Sequence, residues 1–585
     1  MRRRALATAY AAALQAFLLT VSLAGGYAVD RAAAAETPAE PAFPAPGDTD
    51  QAALGPAAAP GSENEVRSVP ALPPAGESEI DPAPAPPGEA GRAPAEAAPT
   101  IAAPDVPADP VVAAIRSKLQ DPALRAKAHP DDLAALEAYY GALSGAPAWI
   151  TGMGFSAKAQ GLIAEIEKAG NWGLDPGAFA IPAASELPAT AEAQAEAELK
   201  LALAALKYAR FARGGRLSPA RISILFDQRP ELRDPNTVLV DLAQAADPGL
   251  YLRALHPKNE QFEGLRQALL KAVAKAKARG GRPERDAAVQ RLIVNMERWR
   301  WMPPALGAYY VWNNIPAFTT RVVKDGKSIY VEKSIVGQVK YATPIFSASM
   351  NSIVFNPDWT VPDTIMIEDL QPRLRQRGPD GGPDLSVLRD NQLSVSLQGR
   401  PIDPASVDWN RANIRSYTFT QEPGATNVLG VLKFNFPNRH AIYMHDTLQP
   451  ELFRENVRTL SHGCIRVNQP DRLATLLLAA DKGWSAARVN DLIARSRNNA
   501  VALNRSVPVH LTYFTVAFDG VGQMRTYSDV YGLDKKMAAA LFGKSELMAV
   551  EAAPAASPPK PQRQRRNAAN IGVGRPNAIP GMFGN

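Results

Sequence analysis

The chain has 585 residues, 64 Lys and Arg against 58 Asp and Glu, and a single cysteine. One cysteine excludes an internal disulfide, and a net charge of +6 spread over this length is too diffuse to name a polyanionic partner. The length accommodates more than one domain.

Arg2 to Arg4 precede a mostly apolar stretch, Ala5 to Val29, and Ala33-x-Ala35 offers small residues for cleavage. Residues 1–35 are therefore expected to be a signal peptide, or a signal anchor held in the inner membrane. Either outcome exports the chain to the periplasm, where nucleic acid is not a partner. An unpaired thiol in an oxidising compartment is a liability unless it is used. Residues 36–109 are Ala, Pro, Gly and Glu with almost no large apolar groups, so a disordered linker is expected.

From 110 to 290 the periodicity is helical. Leu199, Leu203 and Leu206 share a face closed by Gly214 and Gly215; Phe262, Leu265, Leu269 and Val273 make a second stripe, and Gly173 to Pro176 marks a break. From Trp301 the pattern turns to strands: Tyr309 to Val311, Thr320 to Val323, an Asp325-Gly326 hairpin turn, and a return strand through Ile329 and Val331. Residues 363–424 are polar and rich in Pro and Gly, which predicts either a functional flap or plain loop. After Val467 come one or two helices with Leu473, Leu476 and Leu477 on one side, then strands around Val509 to Val516. Residues 536–585 are expected to finish a helix and continue as a disordered tail, with Arg563, Arg565 and Arg566 as a solvated charge run.

Between 440 and 467 fall three of the six histidines and the only cysteine. A short strand from Ala441 to Met444 is predicted to deliver His445, with Tyr443 on the same face, and a second strand starts at Ile465 just after Cys464. Two neighbouring strands would bring His445 and Cys464 to one wall, where an imidazole can take the thiol proton. Gly463 permits a tight turn, and the amides of Gly463 and Cys464 are candidates for facing an oxyanion. His462, two residues from Cys464, is the alternative base. A zinc site from His440, His445, His462 and Cys464 is the metal rival. Strand parity sets His440 opposite His445 and no metal-ligand spacing recurs, so no metal is expected.

The runs Met444-His445-Asp446-Thr447 and Ser461-His462-Gly463-Cys464-Ile465-Arg466-Val467 resemble the signature of the L,D-transpeptidase (YkuD-type) catalytic domain. Glu297 to Trp301, Asn314-Ile315-Pro316, Asn356-Pro357-Asp358-Trp359 and Phe434 to Asn438 resemble its large proteobacterial branch. The resemblance implies an α+β chain: a helical scaffold domain over 110–290, then a mostly β, mixed-sheet sandwich catalytic domain over 291–535, with 363–424 as a cap over the substrate groove. It further implies Cys464 as nucleophile, His445 as proton donor and acceptor, and His462 in a positioning role. Tyr443, Ser461, Arg466, Trp359 and Asn356 become substrate-binding candidates. Peptidoglycan tetrapeptide stems would serve as donor and acceptor, with no cofactor and with susceptibility to carbapenems. Between Ala272 and Asn295 there is no room for the peptidoglycan-binding module that many relatives carry. The same residues would serve an L,D-carboxypeptidase or a D-amino-acid exchange enzyme, and a non-catalytic wall-binding protein would need no activated thiol.

Overall fold

In a computed structural model of the chain, residues 109–151, 154–182, 189–379 and 381–543 are described. The expected leader over 1–35, nearly all of the linker and the tail beyond 543 lie outside them. Among the described residues no helix is long and apolar enough to cross a membrane.

The first half of the described chain is helical. Pro110–Lys118, Pro235–Gln244 and Pro248–Ala254 each start where an aspartate, Asp109, Asp234 or Asp247, accepts a main-chain N–H from the first turn and proline takes the next position. That pairing satisfies an orphan donor and presets φ for the helix. Ala191–Gly214 runs through the middle of this bundle and buries Leu199, Leu206, Tyr208 and Phe211, ending where Gly215 takes φ +81°. Its Glu198, fully buried, accepts from the Tyr140 hydroxyl at 2.9 Å and from the main-chain N–H groups of Trp149 and Ile150 at 3.0 and 2.9 Å.

The helix Ala287–Arg300 ties this bundle to the strands that follow. Glu297, Arg298 and Arg300 are all buried, which is tolerable only with partners. Glu297 accepts the N–H groups of Arg216 and Leu217, and Arg300 donates to the Trp172 carbonyl at 2.5 Å, both toward the helical side. Arg298 faces Asp534 at 2.6 Å, and the Asn295 amide holds Thr515 through bonds of 2.9 Å in both directions, toward the strand-rich side.

The second half is built on a nine-stranded mixed sheet: β1 Tyr309–Asn314, β2 Thr319–Lys324, β3 Lys327–Gly337, β4 Phe346–Phe355, β5 Leu432–Asn435, β6 Met444–His445, β7 Thr459–Ser461, β8 Ile465–Val467 and β9 Asn499–Thr512. Their order is β7-β3-β8-β6-β5-β4-β9-β1-β2, and β2 pairs back onto β3. Ser334 donates to Phe318, just before β2, while Lys333 accepts from Asn468, just after β8. β2 and β8 therefore occupy opposite edges of β3, and the sheet closes on itself. Val311, Val322, Phe346, Ile353, Phe434, Met444, Ile465 and Leu511 form its core. The predicted Asp325-Gly326 turn is present, with φ of 48° and 78°. The expected strand at 441–444 shrinks to Met444–His445, because Ala441 sits at φ +63° and breaks the extended run.

Residues 363–424 are not irregular loop. They hold short helices and, with Trp359–Thr360, a four-stranded sheet in which Tyr417–Gln421 pairs with both Trp359–Thr360 and Ser394–Leu397. Leu370, Leu374, Val387, Leu388, Trp409 and Phe419 are buried, so the insertion has apolar side chains enough to order itself.

Candidate active site

The register of three strands assembles the site. β6 and β8 run parallel with Met444 beside Ile465 and His445 beside Arg466. β5 flanks β6 antiparallel with Phe434 beside Met444 and Lys433 beside His445. Phe434, Met444 and Ile465 are core, so Lys433, His445 and Arg466 form a row on the opposite face. Cys464, one residue before β8, lies alongside Tyr443, and Ile465 N–H donates to the Tyr443 carbonyl at 3.1 Å. Cys464 and His445 are thus diagonal neighbours on adjacent parallel strands, on the same face of the sheet.

Cys464 is a buried thiol outside any disulfide, and its Sγ points at the Ala441 carbonyl at 3.9 Å. Burial pushes its pKa up to about 12, against the Tyr443 N–H and hydroxyl, the Lys433 ammonium and the Arg466 guanidinium, which all favour the thiolate. His445 is also buried, and neither ring nitrogen is hydrogen-bonded among the described residues. Burial, then the charges of Arg466 and Lys433, lower its pKa to about 3. At neutral pH the pair rests as thiol and neutral imidazole, with a base whose acceptor nitrogen is open.

The turn before Cys464 is built by Ser461. Its hydroxyl donates to the Cys464 carbonyl at 2.6 Å and accepts the Gly463 N–H at 3.1 Å. Gly463 has φ +129°, a conformation that a side chain resists, and its carbonyl accepts from Thr343 Oγ1 at 2.7 Å. The Gly463 amide, expected to face an oxyanion, donates here to the Ser461 hydroxyl, and Ser461, expected to bind substrate, holds this turn together.

His462 points away from this row. It stacks on Tyr341, with ring centroids 4.1 Å apart and planes 11° off parallel, and its Nε2 lies 3.6 Å from Asp369 Oδ2 in the insertion. Its pKa falls to about 4, chiefly through burial. Glu368 accepts from the Tyr341 hydroxyl and from Lys340, so two acidic residues of the insertion clasp the turn that carries His462. A cavity of about 460 Å³ adjoins this turn, lined by His462, Gly463, Tyr341, Ile442, Ile365 of the insertion and Leu225 of the helical half.

Arg466 is buried and donates to Gln449 Oε1 at 3.1 Å. Asn356 and Trp359 do not join the site. Asn356, at φ +46°, spends its amide on the carbonyls of Leu492 and Ile493 at 3.0 and 3.1 Å, capping the helix Ala486–Ala494. Trp359 is buried in the core between sheet and insertion. The resemblance makes both substrate ligands; the contacts they make here are with the helix cap and the core. Asp446 turns from the row and accepts the N–H groups of Val431 and Thr447 at 3.0 and 2.7 Å. His440 pairs with Asp227 at 2.8 Å, and among the described residues no group of three or more His, Cys, Asp or Glu is placed to hold a metal ion. Lys433, Tyr341 and Asp369 were not foreseen. For Lys433 the signal is readable, since Leu432 and Phe434 flank it as core residues and parity sends it to the face of His445.

Comparison with known proteins agrees with this arrangement. Residues 308–489 match the L,D-transpeptidase catalytic domain (YkuD) and residues 134–269 a scaffold domain. A Haemophilus influenzae protein, provisionally assigned as an L,D-transpeptidase, is 31% identical over 249 residues, which is 42% of this chain and 49% of that one. The chain thus aligns with about half the length of that relative. Among solved structures, an L,D-transpeptidase from Mycobacterium smegmatis is 14% identical, with a TM-score of 0.17 over 35% of this chain and 58% of its own. Mycobacterium tuberculosis L,D-transpeptidase 3, solved with a faropenem-derived adduct, is 14% identical with a TM-score of 0.17, covering 35% of this chain and 60% of its own. The two family matches thus identify residues 308–489 as an L,D-transpeptidase (YkuD) catalytic domain and residues 134–269, before it, as a scaffold domain.

Proposed function

We propose that the protein is a peptidoglycan L,D-transpeptidase that forms 3-3 cross-links between stem peptides through a thioester on Cys464. The observation that carries the reading is the parallel pairing of β6 and β8, which sets the Cys464 thiol diagonal to an imidazole kept unprotonated by its surroundings. His445 takes the proton from Cys464 Sγ, and the sulfur attacks the carbonyl carbon of the third stem residue, normally meso-diaminopimelate. The bond to the terminal D-Ala nitrogen breaks, and His445 returns the proton to the departing amine. The side-chain amine of a second stem then attacks the thioester, restoring the thiol. Splitting the reaction at a covalent intermediate requires neither ATP nor metal. The Tyr443 hydroxyl, set against the sulfur, and the Cys464 amide are the proposed donors to the oxyanion. Arg466 is proposed to hold a stem carboxylate, and His462, clasped by Asp369, to position the turn. Residues 363–424 act as a cap closing over the groove, and the scaffold occupies the chain before about residue 290. A wall substrate places the reaction outside the inner membrane.

Intact-mass spectrometry after incubation with a disaccharide-tetrapeptide, and separately with a carbapenem, tests this beside Cys464→Ser. Adducts on wild type alone, with dimeric muropeptide, are expected. Release of D-Ala with only tripeptide accumulating would replace the proposal by an L,D-carboxypeptidase. No adduct and no D-Ala would leave a wall-binding protein.

A further inference from the structure

We propose that Lys433 is a positioning residue of the thiol site, a fixed cation on β5 that favours the thiolate form of Cys464. The argument begins with register. Lys433 lies directly across from His445, so its side chain rises on the face where His445 and Arg466 stand. Its ammonium rests 4.3 Å from the centroid of the Tyr443 ring, and Tyr443 in turn flanks the sulfur. No carboxylate accepts this ammonium among the described residues, although strand lysines on an open surface are free to reach one. Burial lowers the Lys433 pKa, and the charge it opposes most nearly is the sulfur of Cys464.

The groups around the thiol come from four elements: Lys433 on β5, Tyr443 and His445 on and beside β6, Arg466 on β8, and His462 in the preceding turn, with Asp369 and Glu368 of the insertion behind it. The two cations divide the work. Lys433 weighs more heavily than Arg466 on the sulfur, and Arg466 weighs more heavily than Lys433 on the imidazole. Lys433 thus eases formation of the anion, and Arg466 keeps the base unprotonated until it receives the thiol proton. Lys433 itself transfers no proton. An aliphatic stem packed on a tyrosine ring is also an ordinary way to fill space, so the test must read charge.

The inference rests on the reading of Cys464 as nucleophile, and its test needs no stem peptide. Iodoacetamide alkylation of Cys464 is followed by intact mass against pH on the full chain, for wild type and for Lys433→Met, Lys433→Gln and Lys433→Arg. Removing an opposite charge that acts on the sulfur through the Tyr443 ring's flank should shift the ionisation by about one unit, so both neutral variants should be alkylated roughly tenfold more slowly at each pH from 7 to 9. Lys433→Arg should restore the wild-type profile. Profiles of the folded neutral variants that overlay wild type would overturn the proposal. Failure of both neutral variants to fold would assign Lys433 a structural role and overturn it equally. A wild type that is alkylated but makes no cross-link would sink the functional reading and leave this one standing.

Discussion

At the scale of single residues, the proposed chemistry rests on a thiol and an imidazole whose surroundings favour the uncharged form of each. Replacing Cys464 by Ser should abolish product, and His445→Ala should lower kcat by about 10²–10⁴-fold, the usual contribution of a positioned base. His462→Ala should cost less, because His462 holds the turn and the insertion instead of facing the sulfur. Comparable activity in His445→Ala and wild type would overturn the base assignment. The pH dependence has a definite sign. With the thiol pushed up to about 12 and the imidazole down to about 3, the thiolate fraction rises tenfold per pH unit across the neutral range. Iodoacetamide alkylation should therefore climb log-linearly from pH 6 to 9, and an inflection near 6.5 would instead reveal a preformed thiolate–imidazolium pair. Cys464, His445 and Arg466 were legible because strand parity survives in the sequence. The diversion of the Gly463 N–H to Ser461 was not, since it depends on a hydroxyl orientation two residues away. The contacts of Asn356 and Trp359 were not legible, because a family motif records that residues matter without recording why; one caps a helix and the other packs in the core.

At the scale of elements, the catalytic turn is fixed from below by β3 and from the side by the insertion. β3 ends at Gly337, where an added Cβ would collide with the Tyr341 carbonyl oxygen and meet the Gly463 Cα at 3.0 Å. Gly337→Ala should consequently displace the turn, lowering kcat more than melting temperature; kinetics beside calorimetry would show it, and wild-type kcat would count against this packing. The insertion reaches the turn through Glu368 and Asp369, carried on the stretch Met366–Leu370. Glu368→Gln should weaken that clasp and raise KM for the donor a few-fold with little change in kcat, since exposed ion pairs contribute modestly. Unchanged KM would mean that the clasp does not govern substrate entry. The Asp325-Gly326 hairpin and the apolar stripes of the helices were readable from local pattern. The Asp-Pro steps that open several helices were equally readable and informative. The internal order of 363–424 was obscured by its Pro and Gly content, although Leu393, Val395 and Leu397 already alternate as a strand. Closure of the main sheet depends on pairings far apart in sequence, such as β3 with β8 and β4 with β9, which no local window contains.

At the scale of the whole molecule, scaffold and catalytic sheet share the helix Ala287–Arg300 and its buried charges. A chain beginning at Trp301 would leave Asp534 without Arg298 and Thr515 without Asn295, and should be insoluble or inactive where the longer chain is active. Expression of the two lengths in parallel checks this. Acid should unfold the molecule early. His256, His445 and His510 are buried with pKa values lowered by burial, so the unfolded chain binds more protons as pH falls below about 6.5. Stability is full above that pH and is lost as pH falls toward the folded-state values. Each of the three costs up to about 1.4 kcal/mol per pH unit. Glu198, raised to about 7 by burial, opposes them in the same window without matching three histidines. Melting temperature should decline steadily from pH 6.5 to 5, and a flat profile would contradict the burial of these imidazoles. Finally, β2, which ends the strand order, is paired along both its edges, with β1 on one side and β3 on the other. A strand from another copy therefore finds no open row of main-chain donors and acceptors on β2 to extend. Heat must open this closure before copies can join through it.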